Sequence, residues 1–351
     1  MVQTYDIKQS YRSNYEIGPQ FVDPPPEVPD TPTKNFLGMP VRSRLGIAAG
    51  MLLNSKWIEG YAKHGFDILT YKTVRSAHRE CYPLPNWVFV NEDGRVDGPV
   101  FAVDDPGDDP TAISSAVCFG MPSMDPSVWR GDIGRAKAAL AEGQVLIVSV
   151  VATPGENASR DEVVEDFVQC ARWAHEAGAD VVEANFSCPN VCTAEGTIYQ
   201  DTEFSCLIAR EMRDTLGDAR FLLKVGYFGT DEHLRNFLRE LNGLVNGITL
   251  VNGISRPVLR PDGQPVFGPD YEFAGVLGRA IHNPSVENVC VARNIVDSES
   301  LDLELVAVGG VSQTSDARDF FDAGASAVMM GSSPMYLPGL AADAKRAHPE
   351  W

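Results

Sequence analysis

The stretch 303–331, "LELVAVGGVSQTSDARDFFDAGASAVMMG", decides the fold class of this chain. Two apolar runs, 303–310 and 325–331, flank a segment at 312–324 in which apolar residues recur at helical spacing. Both runs are nearly continuous in apolar residues rather than alternating, which is typical of strands buried on both faces of a parallel sheet. The stretch therefore predicts a β-α-β unit, with Ser312 as the N-cap of its helix.

The same pattern recurs along the chain. Helical spacing predicts further helices at 162–178 and at 230–241, the latter with Thr230 as its N-cap. Together the apolar runs predict eight strands: 45–50, 67–72, 145–151, 179–186, 221–225, 247–252, 303–310 and 325–331. Eight such units predict an α/β fold, the (β/α)8 TIM barrel. A doubly wound open sheet is the alternative, but the GxGxxG fingerprint is missing after the first strand.

Two kinds of segment lie outside this pattern. Residues 1–38 contain "FVDPPPEVPDTPTK", whose five prolines exclude a helix or an inner strand, so we expect an N-terminal extended arm. A disordered tail is the alternative reading of that arm. Residues 39–351 then form the barrel domain. Within it, 79–114 is predicted to be loop and hairpin material and 254–273 to be a loop rich in Pro and Gly. Both would be long loops at the C-terminal face of the barrel, where they would wall a pocket.

Charge and cysteine usage narrow the class of protein. The 351 residues are 44% apolar and carry a net charge of −19, which argues against nucleic acid and anionic membrane surfaces as partners. A polar N-terminus and the lack of an apolar run of about 20 residues predict no signal peptide and no membrane span. An odd number of scattered cysteines without metal-ligand spacing predicts free thiols in a reducing cytoplasm and no metal site: Cys81, Cys118, Cys170, Cys188, Cys192, Cys206 and Cys290.

Polar side chains stand at the C-terminal ends of several predicted strands. Lys72 and Lys224 lie on otherwise apolar runs, and Asn185 and Asn252 end two others. In a barrel these positions face a common centre. A buried lysine needs an anionic or electron-rich partner, since removing an ammonium from water is costly. A lysine that reaches to solvent from a strand end is the alternative for either residue taken alone.

Glycines mark the last two strand-to-helix turns. Gly309 and Gly310 follow the seventh predicted strand, and Gly331 follows the eighth. Exposed backbone N–H groups at such turns bind phosphate, and barrels often place a phosphate site after strands 7 and 8. The order of these glycines predicts that the ligand carries a phosphate group.

From about residue 40 to residue 345 the chain resembles the dihydroorotate dehydrogenase family, and eight short segments carry the resemblance. They are "LTYKTV" (69–74), "CYPLPN" (81–86), "NFSCPNV" (185–191), "LLKVGYF" (222–228), "LVNGI" (250–254), "GVLGRA" (275–280), "VGGV" (308–311) and "GSS" (331–333). One such segment would be weak evidence, but this many in the family's order is strong. The resemblance implies a (β/α)8 barrel, FMN as cofactor, and oxidation of dihydroorotate or a related dihydropyrimidine.

The resemblance also implies roles for individual residues. FMN N5 would take a hydride while Cys188 takes a proton from the opposite face of the ring. Lys224 would stabilise negative charge on the reduced flavin, and Lys72 would lie beside flavin and substrate, so these three are the predicted catalytic residues. The predicted cofactor-binding residues are Ala48, Ala49, Gly50, Lys72, Thr73, Asn185, Lys224, Gly278, Gly309, Gly310, Gly331 and Ser332. The predicted substrate-binding residues are Gly120, Met121, Asn185, Asn190 and Asn252.

In this family a cysteine base marks class 1, whereas class 2 membrane enzymes carry a serine and an apolar N-terminal helix. Class 1 implies a cytoplasmic homodimer and leaves room for a separate electron-transfer partner. Val117 and Gly253 replace the family's usual asparagine and serine, which favours a second reading: a diverged flavoenzyme acting on another cyclic amide or modified pyrimidine. A third reading is a phosphate-binding barrel without redox chemistry. Cys192, four residues after Cys188, is interpreted as a bystander.

Overall fold

The computed structural model describes residues 3–91, 94–155, 157–187 and 194–351, and of 194–196 it describes the main chain alone. The strands are β1 (Lys34–Phe36), β2 (Met39–Val41), β3 (Leu45–Ile47), β4 (Ile68–Val74), β5 (Trp87–Val90), β6 (Val100–Val103), β7 (Ser114–Val117), β8 (Val145–Val150), β9 (Val181–Asn185), β10 (Arg220–Lys224), β11 (Gly247–Leu250), β12 (Ile254–Leu259), β13 (Phe273–Gly278), β14 (Glu304–Val308) and β15 (Ala327–Met330). The helices are α1 (Tyr11–Ile17), α2 (Ser55–Lys63), α3 (Pro126–Ala138), α4 (Arg160–Glu176), α5 (Thr202–Leu216), α6 (Asp231–Leu241), α7 (His282–Glu299), α8 (Thr314–Asp322) and α9 (Leu340–Ala347).

Eight parallel strands close into a barrel in the order β3, β4, β8, β9, β10, β11, β14, β15. Each is followed by a helix before the next barrel strand begins, so the molecule is a (β/α)8 barrel. All eight strands predicted from apolar runs are confirmed, with ends that differ by a few residues.

The inside of the barrel is apolar toward the N-terminal ends of the strands. Inward-facing side chains there form one buried cluster that includes Val145, Val181, Leu222 and Val306. The hairpin of β1 and β2 closes this end. Its Leu37 N–H donates to Glu304 Oε1 at 3.0 Å, which fixes the hairpin to β14. The polar residues that end the strands lie at the opposite, C-terminal end of the barrel.

Parts of the two stretches predicted to be long loops belong to a second sheet. The stretch 79–114 contains β5, β6 and the first residue of β7, and 254–273 contains β12 and the first residue of β13. These five strands close into a ring. β7 pairs antiparallel with β13, and β6 pairs parallel with β12. The pairing joins segments more than one hundred residues apart, so the local Pro and Gly content of either stretch gives no sign of it. The hairpin predicted within 79–114 is confirmed by the antiparallel pair β5 and β6, whereas the prediction of a loop at 254–273 is wrong for β12.

The N-terminal segment is partly helical rather than extended throughout. Ser10 caps α1, its side chain accepting from the Ser13 N–H. Tyr5 and Tyr11 are buried, and the Thr4 N–H donates to the Met335 carbonyl at 3.0 Å, so the segment is held against the barrel domain. The prediction of an extended arm at 1–38 is therefore wrong for Tyr11–Ile17, because the prolines all lie after that helix.

Two predicted helix caps have different outcomes. Thr230 caps α6, as predicted, by accepting from the His233 N–H. The N-cap of α8 is Gln313 rather than Ser312. Ser312 Oγ donates instead to the Thr111 carbonyl at 2.7 Å, a contact between distant segments that local sequence cannot reveal. None of the helices in the described parts of the chain is both long and apolar enough to span a membrane.

Candidate active site

A cavity lies at the C-terminal ends of the barrel strands. Its lining combines polar strand ends, glycine-containing turns and an apolar wall from the second sheet. All twelve residues predicted to bind the cofactor line this one cavity. The structure thus brings them together, and their role toward a cofactor stays a prediction.

Both predicted lysines lie at this cavity and are nearly inaccessible to solvent. Lys224, at the end of β10, is 1% exposed, and its Nζ donates to the Ala49 carbonyl at 3.1 Å. Lys72, on β4, is 6% exposed, and its Nζ lies 5.9 Å from the centre of the Tyr11 ring. Neither side chain extends to bulk water, so the alternative of a solvent-reaching lysine is wrong. Two buried ammonium groups make the cavity suitable for an anionic or electron-rich ligand.

Amide and hydroxyl groups form a short network beside the lysines. Asn185 Nδ2 donates to Thr73 Oγ1 at 3.3 Å, and Thr73 Oγ1 donates to Ser149 Oγ at 3.1 Å. Asn252 Nδ2 donates to the Ser187 carbonyl. Asn185, Thr73 and Asn252 all line the cavity. Their amide and hydroxyl groups can therefore form hydrogen bonds with a ligand that carries both donors and acceptors.

An apolar wall faces these polar groups. Trp87 on β5 and Val117 on β7 are paired in register, and Phe119 and Met121 continue the wall beyond β7. Within the described residues the buried Trp87 Nε1 has no hydrogen-bond partner.

Glycine-containing turns close the other side of the cavity. Gly310 has a φ of +72°, and a Cβ there would lie 2.7 Å from the Gly278 carbonyl oxygen. At Gly331 a Cβ would meet no atom within 4 Å, because that side of the residue opens on free space. The N–H groups of Ser312 and Gln313 donate to the carboxylate of Asp316. A bound phosphate would therefore be met by the turns at 309–310 and 331–333 rather than by the N-terminus of α8.

The predicted substrate-binding residues are only partly brought together. Met121, Asn185 and Asn252 line the cavity. Gly120 does not: it has a φ of +72°, and a Cβ at this position would lie 2.6 Å from the ring of Tyr82, so its role here is to allow a close packing contact. Cys188 and Asn190, as well as Cys192, lie outside the described residues.

The thiols in the described part of the chain are free. Cys81, which is half-buried near Lys72, has its pKa raised to about 12 by burial, although the nearby Lys72 opposes that effect. It is therefore a neutral thiol at physiological pH, unsuited to act as a base.

Sequence reasoning missed much of the apolar wall. Lining residues that it did not predict include Trp87, Ile113, Phe119, Leu277 and Tyr336. The assignment of 79–114 as a pocket wall was the one signal that pointed toward Trp87 and Ile113. Nothing in the sequence pattern of 117–121 separates cavity-facing from core-facing side chains, because both kinds are apolar.

The fold and the cavity define a (β/α)8 barrel protein with a small-molecule site at the C-terminal face of the barrel. A family model described as dihydroorotate dehydrogenase matches residues 137–343. The dihydroorotate dehydrogenase of Dictyostelium discoideum is 31% identical over 361 residues, which cover 96% of this chain and 95% of that protein. The chain therefore belongs to the dihydroorotate dehydrogenase family.

A second relative and one solved structure are also similar to this chain. The catalytic subunit of dihydroorotate dehydrogenase B (NAD(+)) from Methanothermobacter thermautotrophicus is 28% identical over 215 residues, 58% of this chain and 62% of that protein. The crystal structure of DHODH in complex with ferulenol from Eimeria tenella has a TM-score of 0.70 at 19% identity and covers 90% of this chain and 82% of that chain. The relatives indicate an oxidoreductase, and they favour neither the diverged flavoenzyme nor a barrel without redox chemistry.

Proposed function

We propose that this protein is a class 1-like dihydroorotate dehydrogenase that uses FMN to oxidise dihydroorotate to orotate. One observation carries the proposal: two buried lysines, two asparagines and the glycine-containing turns after the last two strands all line a single cavity. The relationship to dihydroorotate dehydrogenases supports the substrate.

The residues of the cavity fit FMN. Lys224, Lys72 and Asn185 offer positive charge and amide groups suited to the electron-rich edge of an isoalloxazine. The turns at 309–310 and 331–333 would hold the phosphate, and the free space beside Gly331 leaves room for it. When bound, FMN supplies an acceptor for a hydride from the substrate.

The chain's own residues would hold the charges and protons of this reaction. Lys224 would stabilise negative charge that develops in the cavity, which costs no reorganisation because its ammonium is already fixed against the Ala49 carbonyl. Asn185 and Asn252 would bind the alternating donors and acceptors of the pyrimidine ring. The apolar wall around Trp87 would exclude water from the reacting atoms.

Cys188 remains the proposed base. The strand before it ends in Asn185, whose Oδ1 accepts from the Ser187 N–H at 3.2 Å, and Ser187 is itself buried. The last described residues before Cys188 are thus fixed at the rim of the cavity. A thiol titrates at about pH 8.5 in model peptides, close enough to neutrality for a base once its thiolate is favoured.

Three further properties follow from the resemblance and stay proposals: a homodimeric assembly, a cytoplasmic location and a separate electron-transfer partner. Sedimentation of the purified protein tests the first of them. A net charge of −19 supports the absence of nucleic-acid partners.

The visible spectrum of the purified protein tests the cofactor, and anaerobic bleaching by dihydroorotate tests the substrate. We expect stoichiometric FMN uptake, bleaching, and release of orotate. Cys188→Ala should keep the flavin and slow its reduction by roughly 10²–10⁴-fold, the usual contribution of a general base. Cys290→Ala, at an exposed thiol of α7, is the matched control and should behave as the wild type. A protein that takes up no FMN, or a Cys188→Ala variant reduced at the wild-type rate, contradicts the proposal.

A further inference from the structure

One buried acidic side chain beneath the cavity has no part in the chemistry described above. Glu183 lies on β9, two residues before Asn185, and is 2% exposed. Among the described residues none donates a hydrogen bond to its Oε1. Burying a carboxylate oxygen without a hydrogen-bond donor costs free energy, so we expect a nearby positive charge to offset that cost.

The alternation of side chains along β9 sets the direction in which the Glu183 side chain points. Side chains of a strand alternate between its two faces, so Glu183 faces the same side as Asn185, which lines the cavity. Val181, two residues earlier, belongs to the apolar cluster inside the barrel. Glu183 is therefore an inward-facing residue, one level below the floor of the cavity.

The strand pairing places Glu183 close to Lys224. Glu183 lies opposite Leu222, and Asn185 lies opposite Lys224, on the neighbouring strand β10. Strands about 4.8 Å apart with a rise of about 3.3 Å per residue put the Cα atoms of Glu183 and Lys224 about 8 Å apart. Both side chains point into the same barrel interior, where they carry opposite charges.

A polar path links the level of Glu183 to the cavity. Ser149 lies opposite Glu183 on β8, and its Oγ accepts from Thr73, which in turn accepts from Asn185. The hydroxyl of Thr249, opposite Lys224 on β11, is also buried and has no hydrogen-bond partner within the described chain. The barrel therefore changes from apolar to polar at the level of Glu183.

We propose that Glu183 is a positioning residue that acts as the counter-charge of Lys224 and so sets how strongly the cavity favours a negatively charged ligand. This rests on the proposed function, since the affected ligand would be the flavin in its reduced form. Over a distance like this Cα separation, two unit charges in a protein interior shift an ionisation equilibrium roughly 30-fold, and a flavin bound above Lys224 would experience at most that effect. Without Glu183, the positive charge of Lys224 would act more strongly on the ligand.

The test is the reduction potential of the bound flavin together with its affinity for the apoprotein. Glu183→Gln removes the charge and keeps the shape, so reduced flavin should bind up to roughly 30-fold more tightly relative to oxidised flavin. For a two-electron couple that ratio corresponds to a potential about 45 mV more positive. Glu183→Ala is a second neutral variant and should shift the potential in the same direction, should the first variant fold poorly.

Glu304→Gln is the matched control. Glu304 is also an inward-facing glutamate of the barrel, but it lies at the closed end, where it accepts from the Leu37 N–H, and its replacement should leave the flavin potential unchanged.

The outcomes separate the two proposals. Wild-type protein without FMN would overturn the proposed function. Wild-type protein that holds FMN, with an unchanged potential in the neutral Glu183 variants, would overturn only the role of Glu183. An equal shift in the Glu304 control would also overturn it.

Discussion

Replacing Asp67 with asparagine should destabilise the barrel without changing its cavity. Asp67 directly precedes β4, at the N-terminal face of the barrel, and its Oδ2 lies 2.6 Å from Lys345 Nζ on α9. Both side chains are 1% exposed. Ser43 Oγ also donates to Asp67 Oδ2 at 2.6 Å. Asparagine keeps the shape and that hydroxyl contact but leaves the ammonium of Lys345 buried without its counter-charge.

The magnitude follows from how Lys345 can respond. Breaking a buried ion pair by removing one partner costs about 3–5 kcal/mol. Lys345 can avoid an uncompensated buried charge by losing its proton. From a reference pKa of 10.4, this deprotonation costs at most about 4.6 kcal/mol at pH 7. Burial already lowers the pKa of Lys345 in the wild type, against the opposing effect of Asp67. We therefore expect a loss of about 3–5 kcal/mol in the free energy of unfolding at pH 7.

The sign of the pH dependence is a sharper test. In the variant, folded Lys345 has its pKa lowered further and is neutral, whereas the unfolded chain binds a proton up to its reference pKa. The unfolded state then binds more protons, so stability rises with pH by about 1.4 kcal/mol per unit below pH 10. Urea unfolding of the variant at pH 7, 8 and 9, each compared with the wild type, measures this recovery.

Two controls make the result specific. Asp67→Asn combined with Lys345→Met removes both charges and should restore most of the lost stability. Asp343→Asn breaks the neighbouring exposed pair with Arg346, 2.6 Å long, and should cost less than about 1 kcal/mol. FMN affinity should be unchanged in all of them, because the pair lies at the face opposite the cavity. A loss below about 1 kcal/mol, or one that does not shrink as pH rises, would refute the reasoning.

The barrel could be predicted because its signal is local. Eight continuous apolar runs separated by helical spacing allow few other arrangements, and the strands follow those runs closely. The second sheet could not be predicted, since β7 pairs with β13, a strand more than one hundred residues away in the sequence. Pro257 lies within β12, where sequence rules count a proline against a strand. The ring accommodates it beside Phe273 on the neighbouring strand β13.

The candidate site also contains residues that could be predicted from the sequence and residues that could not. Lys72 and Lys224 stand out in the sequence because a charge on an apolar strand breaks a local pattern. Trp87 does not stand out, since an aromatic residue in an apolar strand fits any buried position. The sequence predicted functional residues at the ends of the strands, and Glu183 lies two residues before such an end. Only the closed barrel shows that Glu183 and Lys224 point into the same barrel interior.

Two more expectations concern thiols and glycines. Iodoacetamide at pH 7 should label exposed Cys290 before Cys81, whose pKa burial raises to about 12, and peptide mass spectrometry with equal rates would contradict this. Gly278→Ala should cost roughly 2–5 kcal/mol in urea unfolding, because Gly278 has a φ of +84° and a Cβ there would lie 2.3 Å from the Ile113 carbonyl oxygen. Gly331→Ala should leave stability within about 0.5 kcal/mol, since its Cβ meets no atom within 4 Å. That Cβ would instead occupy the free space assigned to the phosphate, so a titration of the apoprotein with FMN should show weaker binding. Full FMN affinity in Gly331→Ala would mean that the phosphate lies elsewhere, because a methyl group cannot share the space of a phosphate oxygen.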